Sequence, residues 1–133
     1  MAPEGQKGAA LSIAGGTAII LGDRLAPADR GRIYELGRDR YVELEQAQSA
    51  LFTNMPPHHQ GEVLAGIAQL EQRLGNRERA VGYAERVIAT LAGTPYEAAA
   101  RAFIADPDAE PTPRLACVSC HDAGRLANVR TDD

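Results

Sequence analysis

The residues best equipped for chemistry lie near the end of the chain, in the run Cys117-Val118-Ser119-Cys120-His121. Two thiols three positions apart, followed at once by an imidazole, form the attachment signature of a c-type haem. Each thiol can add to one vinyl group of the porphyrin, and the histidine then stands under the iron as an axial ligand. The order is directional, and both cysteines of the 133-residue chain fall inside it. Other uses of the pair fit less well. A structural zinc site needs two more Cys or His ligands at matched spacing, yet the other histidines, His58 and His59, are adjacent and far upstream. A redox C-x-x-C belongs beside a βαβ pattern, which the sequence lacks. A plain structural disulfide stays open as an alternative.

An iron held by His121 has a second face. Met55, His58 and His59 are the candidates for it, all in one proline-containing stretch. A histidine there gives a low-potential iron and a methionine a higher one. Two adjacent imidazoles offer more ways to reach a metal, so His58 or His59 is preferred to Met55. The plainer alternatives are solvated loop histidines and a methionine packed in the core. A ligand from another subunit, or an open position able to bind a gas, completes the set.

No other constellation suggests catalysis. There is no Ser-His-Asp pattern, no acid pair beyond ordinary helix-surface charge, and Gly5, Gly8, Gly15 and Gly16 lack the context of a phosphate-binding loop. The chain is therefore not expected to be an enzyme. Fourteen Lys and Arg against eighteen Asp and Glu give a net charge of −4, so no basic field argues for nucleic acid. Thioether attachment of haem takes place outside the cytoplasm, which predicts a periplasmic or extracellular protein. Residues 8–22 form an apolar run behind Lys7, and Ala26-Pro27-Ala28 has the look of a cleavage site. Asp23 and Arg24 interrupt that region, so the export signal is expected upstream of Met1 instead. Fifteen residues are also too few to span a bilayer as a helix, and no membrane span is predicted.

The elements that would carry these residues are mostly helical. Residues 1–28 read as an N-terminal arm in which 10–14 and 17–21 flank Gly15-Gly16, the pattern of a short β-hairpin. Such a hairpin needs something to pack on: the helices behind it or a partner. A helical body is predicted over 29–105. Asp29 caps a helix to about Leu51, with Ile33, Leu36, Arg40, Leu44, Ala47 and Leu51 inward, Tyr34 and Tyr41 beside them, and Glu35, Arg38 and Asp39 in solvent. After the 52–60 turn, Pro56 and Pro57 suit the start of a second helix, which buries Val63, Leu64, Ile67, Ala68, Leu70 and Leu74 and stops at Gly75. A third runs from Asn76 to about Leu91 with Ala80, Val81, Ala84, Val87 and Ile88 inward, and Thr94-Pro95 opens a fourth to Ala105. Residues 106–116 are a Pro-rich, semi-stiff spacer before the haem-attachment segment, 117–133.

Two family resemblances follow. The C-V-S-C-H run resembles c-type cytochromes over those five residues. Residues 61–105 resemble a tetratricopeptide repeat plus the next first helix, through Leu74-Gly75-Asn76, Ala80 and the later Pro95, although Leu64 stands where the family has an aromatic and Pro95 comes late for a 34-residue unit. Cytochromes of the four-helix type also end near such a motif, and Cys120-His-Asp-Ala-Gly-Arg125 loosely resembles their ending. Pro107, Pro111 and Pro113 set the motif apart from the preceding helix, so that fold ranks second. The tetratricopeptide resemblance implies antiparallel helix pairs that bury their apolar faces on neighbours, with about three repeats needed for stability. Nearer two are present, so the haem, the hairpin or another copy must supply the remainder, and a head-to-tail contact would give a ring or filament.

The expectation is thus a mainly α protein with a short N-terminal hairpin and a C-terminal haem segment. Its expected role is monohaem electron transfer with redox partner proteins, within a homo-oligomeric or polymeric assembly. The alternative is a helical-repeat scaffold whose haem is structural or whose C-terminus is stapled by zinc or a disulfide.

Overall fold

The computed structural model describes residues 4–109. Helices dominate this part, and no strand occurs among the described residues. They are α1 (Glu4–Arg24), α2 (Pro27–Val42), a π-helical turn (Glu43–Ala47), α3 (Ser49–Thr53), α4 (Pro57–Arg73), α5 (Arg77–Thr90) and α6 (Pro95–Ala105). Three of them, α2, α4 and α6, carry proline in their first turn. There the missing N–H costs nothing and the fixed φ is already helical. Cys117, Cys120 and His121, expected to attach a haem, and most of the expected spacer before them lie outside the described residues.

The expected N-terminal hairpin is corrected by this structure: residues 10–21 form part of the continuous helix α1. The glycines there are contact residues rather than turn residues. Leu11, Gly15, Ala18, Ile19 and Gly22 are all buried, spaced four, three, one and three apart as one face of a helix. A Cβ on Gly15 would overlap the Tyr41 ring, and one on Gly22 would overlap the Tyr34 ring. Gly66 of α4 approaches the same Tyr41 ring. Tyr41, fully buried, therefore packs against glycines of two helices.

The phase of α2 also differs from the expected stripe. Tyr34, Gly37, Tyr41 and then Leu44 face inward, while Leu36 is 54% exposed. The helix starts at Pro27 rather than at an Asp29 cap, and its α-helical part ends at Val42. A π turn over Glu43–Ala47, closed by the Gln48 N–H on the Glu43 carbonyl at 3.0 Å, separates it from α3. Arg38, expected in solvent, instead turns inward to a buried carboxylate described below.

The second half of the body follows its sequence closely. Helix α4 buries Val63, Leu64, Ile67, Ala68 and Leu70. It ends where Gly75 takes φ +83°. The Asn76 N–H reaches the Glu71 carbonyl (2.8 Å) and the Gly75 N–H the Gln72 carbonyl (3.1 Å), the two bonds of a Schellman stop. Helix α5 buries Ala80, Ala84 and Val87, followed by Leu91. The Tyr96 hydroxyl donates to the His58 carbonyl (2.9 Å) at the start of α4, and Gln72 near its end meets the Pro107 carbonyl (3.0 Å) past α6. Helix α6 therefore runs in the same direction as α4, with α5 returning between them.

Candidate functional site

Met55 lies in the turn before α4 and is partly buried against the core cluster. His58 and His59 are not in a loop as expected; proline at the head of α4 draws them into that helix's first turn. Their rings stand 4.0 Å apart between centroids and tilted by 51°. His58 is half-buried and His59 is exposed. One turn on, burial pushes the Glu62 carboxyl above its usual value, only partly offset by the charge of His59. Among the described residues no group of three or more His, Cys, Asp or Glu is placed to hold a metal ion. The two imidazoles thus stand as a pair, without a third such side chain grouped with them among the described residues.

Covalent reach tests whether one chain can bring the two parts together. Described structure ends at Ala109, whose carbonyl accepts a hydrogen bond from Gln72 Nε2 (3.0 Å). Fourteen residues of α4 separate Gln72 from His58, about 21 Å at 1.5 Å per residue. The eight residues from Ala109 to Cys117 can span at most about 26–29 Å. By length alone, eight residues suffice for Cys117 to approach the end of α4 that bears His58.

The opposite end of α4 holds a polar cluster that sequence reasoning missed. Arg73, with only 3% of its side chain exposed, grips Asp23 through two bonds of 2.8 Å. The Tyr34 hydroxyl donates to the same carboxylate at 2.6 Å. Arg30 Nε donates to the Leu25 carbonyl (2.7 Å), fixing the α1–α2 turn. Burial opposes the Asp23 charge, but the hydrogen bonds from Arg73 and Tyr34 and the nearby guanidinium charges outweigh it, so its carboxyl titrates below the usual value. Tyr34 is pushed up in turn, by burial first and then by the Asp23 carboxylate. These side chains line a cleft of about 1120 Å³ with Ile20, Arg24, Gln72 and Leu74. In the sequence, Asp23-Arg24 reads only as an interruption of an apolar run. The signal available was an acid ending one helix and an arginine ending another, which no local pattern pairs.

A second buried ion links three helices. Glu71 is 2% exposed and accepts from Arg38 Nη1 (3.2 Å) and Asn76 Nδ2 (3.0 Å), with Arg79 3.7 Å away. Burial disfavours the Arg38 charge, but Glu71 and Asp39 beside it more than compensate and hold its guanidinium above the usual value. Asn76 thus spends its side chain on this carboxylate rather than on capping α5. The cluster is a structural tie; nothing about it opens to a ligand.

Comparison of the chain with protein-family models, with curated proteins and with solved structures finds no match.

Proposed function

We propose that this chain is a monohaem c-type cytochrome that carries electrons between redox partner proteins, with its helices as the mount. The observation that carries the reading is Cys117-Val-Ser-Cys120-His121, which takes in every cysteine of the chain. Bound haem supplies a one-electron ferric–ferrous couple, and no substrate bond needs to be made or broken. The chain's own work would be to tether the ring through Cys117 and Cys120 and to hold the iron with His121 and with His58 or His59. Because thioether attachment takes place outside the cytoplasm, the same reading puts the protein in the periplasm or outside the cell. No described helix is long and apolar enough to cross a membrane.

The alternating directions of α4, α5 and α6 support a tetratricopeptide-like body. So does the Schellman stop at Gly75, at the place where that family turns between helices. Helix α6, the last of the described helices, leaves Phe103 and Ile104 only partly buried, which favours self-association as a ring or filament. The same feature favours a second reading, a repeat scaffold in which the haem is structural. Visible spectroscopy with intact mass, after expression in a host that matures c-type haem, tests the first reading. A covalent adduct of one haem with a redox-active Soret band is expected, and the bare polypeptide mass would overturn it. Replacing His58 and His59 singly by Ala should convert a low-spin spectrum for one of the two; two unchanged spectra remove the pair as ligands. A haem that stays attached but exchanges no electrons with added redox dyes would favour the scaffold.

A further inference from the structure

Among the described residues the exposed large apolar side chains are Ile13, Ile20, Leu21 and Leu36, three of them on α1. Ile13 is 67% and Leu21 51% exposed, and Ala10, Ala14 and Thr17 are exposed on the same helix. Between Lys7 and Asp23 the helix has no charged residue at all. The outward side of α2 is the contrast, with Asp29, Arg32, Glu35 and Asp39 exposed, as a solvated helix should be. Apolar side chains grouped like those of α1 mark a covered surface.

We propose that the cover is this chain's own C-terminal segment, residues 110–133, laid along the outward face of α1. The exit point carries the proposal. Gln72 Nε2 holds the carbonyls of Pro107 and Ala109, both at 3.0 Å, and Gln72 lines the same cleft as Ile20. The segment therefore starts beside the apolar face. It is 24 residues long (133 − 109), whereas Ile20 to Ile13 is only about 10 Å along the helix. A tethered segment also acts at an effective concentration in the millimolar range, which a second copy does not match. Leu115, Val118, Leu126 and Val129 supply apolar side chains for the contact. Asp23 meets Arg73, and Gly15 shares the Tyr41 ring with Gly66, so α1 runs parallel to α4. A segment passing from Ile20 to Ile13 thus heads toward the end of the body that bears His58 and His59. The docking does not depend on an attached haem.

The test uses the full chain with a benzophenone amino acid in place of Ile13 or Leu21, photolysed as an equimolar mixture of isotopically light and heavy protein. Cross-links to peptides within 110–133, joining only chains of one isotope, are expected. Mixed-isotope pairs would mean that a second copy covers the face, and capture of lipid from added phosphatidylglycerol vesicles would mean a membrane surface. Either result overturns the proposal, as does a failure to cross-link beyond α1's immediate neighbours. Ile20→Glu should in addition speed tryptic cleavage after Arg125 and Arg130 several-fold, and an unchanged rate counts against the docking. The visible spectrum of the same sample separates the two ideas. Colourless protein with the intrachain cross-link sinks only the cytochrome reading, and coloured protein without it sinks only the docking.

Discussion

The two halves of the body are held together by different means. Helices α4, α5 and α6 are amphipathic and pack mainly through Leu, Val, Ile and Ala at helical spacing, with a single ring-on-glycine contact, Tyr96 against Gly61. Helices α1 and α2 have little amphipathic pattern of the usual kind and pack by seating tyrosine rings against glycines. The first kind of interface is a sum of many similar contacts, so the loss of one leaves the rest in place. The second concentrates contact in a few rings that touch backbone, where small errors of shape have no room to relax. The halves meet on α4, to which α1 is tied by Asp23–Arg73 and α2 by Arg38–Glu71.

Tyr41→Ala should break this contrast most severely. Removing a fully buried ring that packs against Gly15 and Gly66 is expected to cost about 3–5 kcal/mol by analogy with other large-to-small aromatic changes, read as a fall in the urea midpoint. Val87→Ala, in the other half, should cost only about 1–2 kcal/mol, and equal losses would dissolve the distinction. Arg38→Ala comes next. It leaves the buried Glu71 with Asn76 and a distant, exposed Arg79, and about 2 kcal/mol of destabilisation is expected, below the figure for a fully buried pair because Arg38 is itself 21% exposed.

Asp23→Asn should cost about 1–2 kcal/mol at neutral pH by weakening the bonds from Arg73 and Tyr34. Here pH sharpens the comparison. The folded carboxyl titrates below its unfolded value, so its contribution is complete above the ordinary carboxylate range and is lost as pH falls through the depressed folded value. Stability curves of the variant and the parent should therefore converge in acid, and a constant gap down to pH 2 would show that Asp23 acts otherwise. The smallest effect belongs to Leu36→Gln. At 54% exposure on the outward side of α2 it should change stability by no more than about 0.5 kcal/mol.

That contrast also explains what could be read in advance. The second half obeyed hydrophobic periodicity, with its turn marked by Gly75 and its starts by Pro57 and Pro95, so helices, inward faces and stops were legible. The first half was misread for one physical reason: a glycine contributes nothing to a hydrophobic stripe, yet it contributes contact when a ring lies against it. Gly15-Gly16 looked like a tight turn because glycine permits positive φ, whereas here it permits close approach within an unbroken helix. The same blindness shifted the face of α2, whose inward line is Tyr34, Gly37 and Tyr41 rather than Ile33, Leu36 and Arg40. Nor did charge pattern predict that Arg38 would be drawn from the surface, since its partner Glu71 is 33 residues away.

The sequence by itself determined a mainly helical chain and the positions of α4, α5 and α6. These depend on neighbours a few residues apart, where spacing alone fixes geometry. Only the tertiary structure decided that residues 10–21 are helical, that Asp23 and Arg73 close one end of α4 while His58 and His59 mark the other, and that α1 turns an uncharged apolar face outward. Those facts depend on which surfaces meet across the fold, and no local pattern encodes the shape of a surface that another segment must match.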